Sequence, residues 1–281
     1  MTSLAPASTP PATRRARPRR FLMVRPERFE VAYEINVWMD ATVPVDTARA
    51  VAQWEALVAA YRAAGHEVHL LEPGEGLPDM VYAANGGTSV GGLFYTARFA
   101  HAERVGESAL HERWQREAGA RVVVAREVNE GEGDLLAVGG RVLAGHGFRT
   151  DPAAHAELAE ATGVELVSLR LVDPCYYHLD IALTVLDEER GEIAYLPEAF
   201  DDASRAVLER LYPDAILVAP DEAALFALNS VSDGLRVFHP AAARGWAEQL
   251  AERGFEPVPI ELDELLKGGG SVKCCTLVLR G

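Results

Sequence analysis

Two of the three cysteines in this 281-residue chain, Cys274 and Cys275, stand side by side near its end, behind Gly268, Gly269 and Gly270. Glycine tolerates positive φ and lets the backbone approach a ligand closely, so the triplet predicts a sharp turn ahead of the thiols. The run CCTLVLR, residues 274–280, reads as a final strand whose side chains alternate between two faces. Parity then groups Cys275 with Leu277 and Leu279 on a core face and leaves Cys274, with Thr276 and Arg280, on the other. Cys274 is therefore the candidate nucleophile and Cys275 a packing residue. Free cysteine is among the most buried residue types, so on the residues alone a purely structural role for both stays open.

A nucleophilic thiol needs a group to manage its proton. In LVDPCYYHLDIALTVLDEE, residues 171–189, His178 precedes Asp180 by two positions at the start of a predicted strand, so both side chains can point the same way. A carboxylate beside an imidazole fixes its tautomer and keeps it basic enough for proton transfer. The same pair occurs in metal sites and in ordinary turns, but no HxxxH or CxxC spacing accompanies it, and no metal is expected. Two more segments are polar where strands should end. NEGEGDLL, residues 129–136, brings Glu130, Glu132 and Asp134, and PDMVYAANGGTSV, residues 78–90, brings Asp79 and Asn85. Loop carboxylates are most often simply solvated, yet Glu, Asp, Asn and His gathered at strand ends with a late thiol also suit a planar cation such as a guanidinium.

The elements that must position these groups follow a repeat. A short apolar strand, a turn around an Arg, Pro or aromatic residue, and often an amphipathic helix recur from Phe21, Gly92, Arg141, Glu192 and Leu235. The later units start about 45–50 residues apart, a period that suggests radial repetition of a small strand-and-helix unit. A doubly wound nucleotide-binding sheet is disfavoured by the lack of GxGxxG and GxxxxGK[ST] motifs. On spacing alone an unclassified α+β domain stays open.

Composition narrows the function further. With 49% hydrophobic residues the chain can bury a large core, and its net charge of −15 disfavours nucleic-acid or anionic-membrane partners. No apolar run approaches the roughly 20 residues that cross a bilayer. The odd cysteine count argues against a disulfide framework and for a reducing compartment, so a cytoplasmic protein is expected. Residues 1–20, rich in Pro, Ala and Arg, are predicted to be a disordered tail, with one domain over 21–281. The acidic surface is compatible with a monomer or a homo-oligomer.

FLMVRPERFEVAYEINVWM, PDMVYAANGG, ARFAHAER, NEGEGDLL, HLD and GGGSVKCCTL follow one another in an order that resembles the guanidine-modifying superfamily. That group comprises arginine deiminases, dimethylargininases, arginine dihydrolases and glycine amidinotransferases. The resemblance implies a pentein-like, five-bladed pseudo-symmetric α/β propeller with a central active site and no cofactor. It implies Cys274 as nucleophile, His178 as proton donor and then activator of water, and Glu130 as the site glutamate. The glycine spacing departs from the commoner EGGD form, which leaves Glu132 as an alternative. Asp134 matches the closing aspartate of that motif, and Asp180 the carboxylate after the histidine. Asn85 stands where dimethylargininases and deiminases place an aspartate. Arginine dihydrolases match there, at Asn36 and at Arg104, which is expected to grip a substrate carboxylate. The resemblance thus points to a small guanidine substrate and to arginine dihydrolysis, with dimethylargininase, deiminase and amidinotransferase activity as alternatives. A guanidine-binding propeller without turnover is the non-enzymatic one.

Overall fold

A computed structural model describes residues 14–280, which build five three-stranded sheets. In each sheet the middle strand pairs antiparallel with one neighbour and parallel with the other, and the parallel partner is reached through a helix. The middle strands Leu93–Thr96, Arg141–His146, Glu192–Tyr195 and Arg236–Pro240 begin within a residue of the repeat starts read from sequence. Their crossover helices are Glu107–Glu117, Pro152–Thr162, Asp202–Leu211 and Arg244–Glu252. The repeat is therefore the blade of an α/β propeller.

The first blade is assembled from both ends of the chain. Its middle strand Arg20–Val24 pairs parallel with Glu67–Leu71 through the helix Thr47–Ala63, and antiparallel with the late strand Leu277–Val278. That pairing closes the ring and ties the cysteine segment to the start of the fold. Phe21, Leu22, Leu277 and Val278 are buried at the closure, and each such side chain contributes about 1.5–3 kcal/mol on burial. The first unit is longer than the others because residues 25–46 are inserted between its strand and its helix; this segment carries Tyr33, Asn36 and Trp38.

Two sequence expectations need correction. The expected disordered tail covers residues 1–20, of which 1–13 lie outside the described residues. Residues 14–20 are ordered, because their arginines find acidic partners: Arg14 pairs with Glu192 at 2.7 Å, Arg17 with Asp187 at 3.1 Å and Arg19 with Glu188 at 2.7 Å. The final strand, expected from Cys274, begins only at Leu277. Residues 272–275 form a turn in which the Cys275 N–H donates to Ser271 O at 3.1 Å and the Thr276 hydroxyl to Val272 O at 2.8 Å. Among the described residues no helix is long and apolar enough to cross a membrane.

Candidate active site

The turn, rather than strand parity, separates the two thiols. Cys275 is fully buried, while the Cys274 Sγ lies 3.4 Å from Asp180 Oδ2 and 3.1 Å from Asn229 Nδ2. The three glycines before it let aromatic and amide groups press against the backbone. A Cβ on Gly268 or Gly270 would collide with Tyr82, and one on Gly269, at φ 83°, would sit 2.7 Å from Asn36 Oδ1. Burial pushes the Cys274 thiol well above its usual range, reinforced by the Asp180 charge, so the resting group is a neutral thiol whose hydrogen faces a carboxylate. Asp180 is itself raised to about 7 by burial, against partial compensation from Lys273. Its other oxygen, Oδ1, is buried without a partner among the described residues, and so is Oδ1 of Asp79. Burying an unpaired carboxylate oxygen is costly, so both oxygens stand out as buried acceptors with spare hydrogen-bonding capacity.

His178 belongs to a second cluster. The predicted strand around it is instead one helical turn, Leu179–Ala182, with His178 as its N-cap residue and the strand starting at Leu183. His178 and Asp180 therefore do not share a face as strand parity had suggested. The carboxylate partner of His178 is Glu130, whose Oε2 lies 2.8 Å from Nε2. Because an ionised carboxylate only accepts, Nε2 carries a hydrogen and Nδ1 is the nitrogen left for reactants. Burial alone would raise Glu130, but Arg149 at 3.0 Å and His178 together hold it below the usual carboxylate range. Asp134 fixes this arrangement from beneath: Oδ1 accepts the Leu179 N–H at 3.0 Å and Oδ2 the Thr150 hydroxyl at 2.7 Å. Both of its oxygens are engaged in protein contacts that orient the His178 turn. Gly133 packs so closely that a Cβ there would meet Asn85 Nδ2 at 2.5 Å and the His178 ring at 3.2 Å, so the amide and the imidazole are neighbours.

A third cluster centres on Arg104. Nε and Nη2 each reach Glu107 at 2.8 Å, and Nη1 donates to Asn85 Oδ1 at 2.8 Å. Its Nε–Nη2 edge thus faces Glu107, and Nη2 also donates to Asp79 O at 3.3 Å. A guanidinium cannot accept, so Asn85 must turn its oxygen toward Arg104 and its Nδ2 toward Glu130 O, 3.4 Å away. Asn36 closes the ring of groups from the inserted segment: its Nδ2 donates to Gly268 O at 3.2 Å, and its Oδ1 accepts from Trp38 N at 2.9 Å.

Glu132 goes elsewhere. It pairs with Lys273 at 3.0 Å, with Arg280, and with the Val278 N–H at 3.0 Å, anchoring the C-terminal segment. Of the two candidate glutamates, Glu130 alone meets His178. Sequence reasoning missed three contributors. Arg149, at the turn of the third repeat unit, reaches Glu130 and donates to Ile35 O at 2.7 Å, while its guanidinium lies over the Tyr177 ring at 4.7 Å. The recurring turn arginine of the repeat was the signal for it. Tyr177 packs against His178 with ring centroids 4.7 Å apart and donates its hydroxyl to Gly269 O at 2.8 Å. Asn229, in FALNSVSDG, carried no signal in its local sequence.

The chain and its fold have counterparts among known proteins. The family model for eukaryotic N,N dimethylarginine dimethylhydrolases matches residues 25–280. An N(G),N(G)-dimethylarginine dimethylaminohydrolase of Mycobacterium tuberculosis is 57% identical over 267 residues, 95% of this chain and 88% of the relative. ArgZ of Synechocystis, a bifunctional arginine dihydrolase/ornithine cyclodeaminase, is 37% identical over 92% of this chain and 37% of its own length. The crystal structure of the ArgZ N-terminal domain, a cysteine-to-serine mutant bound to substrate, superposes with a TM-score of 0.89 at 36% identity, covering 92% of this chain and 97% of that domain. The pentein-like propeller is common to all of this.

Proposed function

The chain belongs to the N,N dimethylarginine dimethylhydrolase family of guanidine-modifying hydrolases, and on that premise we propose that it hydrolyses the guanidino C–N bonds of arginine through a covalent Cys274 intermediate. Arginine and two waters give ornithine, two ammonias and carbon dioxide. A guanidinium is resonance-stabilised and a poor electrophile, so the protein has to hold it flat and supply a better nucleophile than water. Asp180, with one oxygen beside the thiol and the other free, holds the cation next to Sγ; the free oxygen of Asp79 takes a second cationic group of the substrate. Arrival of a cation lowers the pKa of the thiol, whose proton passes to His178 Nδ1 as the sulfur attacks the central carbon. A C–S bond forms, and His178 gives a proton to the departing amine through Nδ1. His178 then takes a proton from water as that water displaces sulfur, and Glu130 with Arg149 keeps the imidazole in place throughout.

Asn85 carries the choice of arginine dihydrolysis. Its oxygen is tied to Arg104, so it offers the site a neutral N–H donor where a carboxylate would repel the oxygen of a ureido group. A citrulline-like intermediate can therefore remain and be hydrolysed a second time. The dimethylargininase reading is favoured by the 57% identical relative of that name. Mass spectrometry of the products from arginine, dimethylarginine and citrulline separates them. Ornithine from arginine supports the dihydrolase, citrulline as sole product from dimethylarginine supports the alternative, and no turnover of any of the three overturns both.

A further inference from the structure

Asn229 makes more contacts with the cysteine turn than any residue named for the chemistry. Its Oδ1 accepts from three successive donors of that turn, Ser271 N at 3.1 Å, Lys273 N at 3.0 Å and Cys274 N at 3.2 Å. Three N–H donors identify that atom as oxygen, so Nδ2 must be the donor on the other side. Nδ2 lies 3.1 Å from the Cys274 Sγ and 3.1 Å from the carbonyl oxygen of Asp180. One fully buried amide thus fixes the backbone of the nucleophile, points a hydrogen at its sulfur, and ties it to the residue that holds the substrate cation.

The segment that delivers Asn229 is strained. Phe226 is the one non-glycine residue with positive φ among the described residues, at 60°, and its carbonyl accepts the Asn229 N–H at 2.9 Å. A bulky residue in the left-handed region is strained, and such strain persists where the surroundings over-determine the conformation. Here the Phe226 ring packs edge-on against Trp38 of the inserted segment, with centroids 4.8 Å apart.

We propose that Asn229 is the positioning residue of the nucleophile, stabilising the Cys274 thiolate through Nδ2 while its Oδ1 holds the turn that aims it. This rests on Cys274 being the nucleophile. The other titratable and charged groups around the sulfur act in the opposite sense or indirectly. Asp180 and Cys275 disfavour a negative charge on the sulfur, the buried hydroxyls of Tyr82 and Tyr177 stay neutral, and Lys273 compensates the Asp180 carboxylate. The Asn229 donor and the Ser271 N–H are the contacts that favour the thiolate directly.

Asn229→Asp is the first variant, because it keeps the oxygen that three N–H groups need while turning the donor that faces sulfur and Asp180 O into an acceptor; the neutral Asn229→Ser separates the lost donor from the added charge. The readout is the pH dependence of Cys274 alkylation by iodoacetamide, followed by peptide mass mapping, alongside kcat, KM and thermal stability. The alkylation profile is expected to move to higher pH by about one unit or more. The expected kinetic effect is a fall in kcat of about 30-fold or more, with KM within about threefold. A merely structural amide would change stability and leave the profile of the folded enzyme in place, so an unchanged profile with near-normal kcat overturns the proposal. Should Asn229→Asp not fold, Asn229→Ser, which is too short to reach the sulfur, carries the same expectation and the same contrary outcome. Full turnover by Cys274→Ser would instead remove the nucleophile reading itself, so the two failures are distinguishable.

Discussion

The two ends of the strand Leu183–Asp187 meet the same kinds of side chain in opposite states. Before it, Asp180 is buried with one oxygen unpartnered and its carboxyl raised to about 7; after it, Glu188 is held by Arg19 at 2.7 Å and Arg280 at 3.0 Å. Burial would raise Glu188 too, but its two arginines outweigh it and lower the carboxyl. Glu130 and Glu132 also part, two residues from one another, one turned to His178 and Arg149 and the other to Lys273 and Arg280. At one end the carboxylates are paired and hold the ring closed; at the other Asp180 and Asp79 each keep an oxygen without a partner among the described residues. The difference identifies where a cation is expected, and it does so without reference to any relative.

The sharpest break of that contrast is at the thiol. Cys274→Ser should lower turnover by about a thousandfold or more while leaving the folded protein intact, as read by kcat and by thermal melting. Asp180→Asn comes next, since it removes the charge but keeps the shape; kcat/KM for arginine should fall by about a hundredfold, and much less for the uncharged ureido group of citrulline. Acid should act like a weaker form of that substitution. As pH falls below about 7, Asp180 gains a proton that a guanidinium must displace, so KM for arginine should rise, by up to about tenfold per unit. A KM that stays flat as pH drops below that point would contradict the role given to this carboxylate. At the satisfied end the effects should be smallest. Glu188→Gln should cost about 1 kcal/mol of stability at most, because its pairs are partly exposed, with kcat unchanged. Its folded carboxyl is lowered, so this stabilisation is complete above the ordinary glutamate pKa and is lost as acid titrates the folded form.

Much of the satisfied framework was legible in the sequence. The repeat starts coincide with the middle strands because each blade needs its own apolar run and its own crossover helix, and those write a period into the chain. Cys274 was identified by the wrong route: the parity of a strand singled it out, whereas a turn held by Asn229 presents it. His178 was paired with Asp180 for the same reason, because an apolar run followed it and nothing local announced the helical turn that Asp134 holds. Arg104 pairs with Glu107 three residues on, a spacing the sequence does show; that both side chains are buried is what it does not. Arg149 reaches Glu130 within its own blade and has the recurring turn arginine as its signal, whereas Asn229 acts on the Cys274 turn from another blade. Contacts of the latter kind leave no local pattern to read.

The claim at the centre of this account is that the guanidino carbon becomes bonded to Cys274. Acid-quenching the enzyme during turnover of arginine and mapping peptides by mass spectrometry tests it directly. The account predicts an adduct in which the guanidino carbon, still bonded to the ornithine chain, sits on the peptide carrying Cys274 and on no other. Steady turnover with that peptide unmodified at every quench time, and an active Cys274→Ser enzyme beside it, would contradict it.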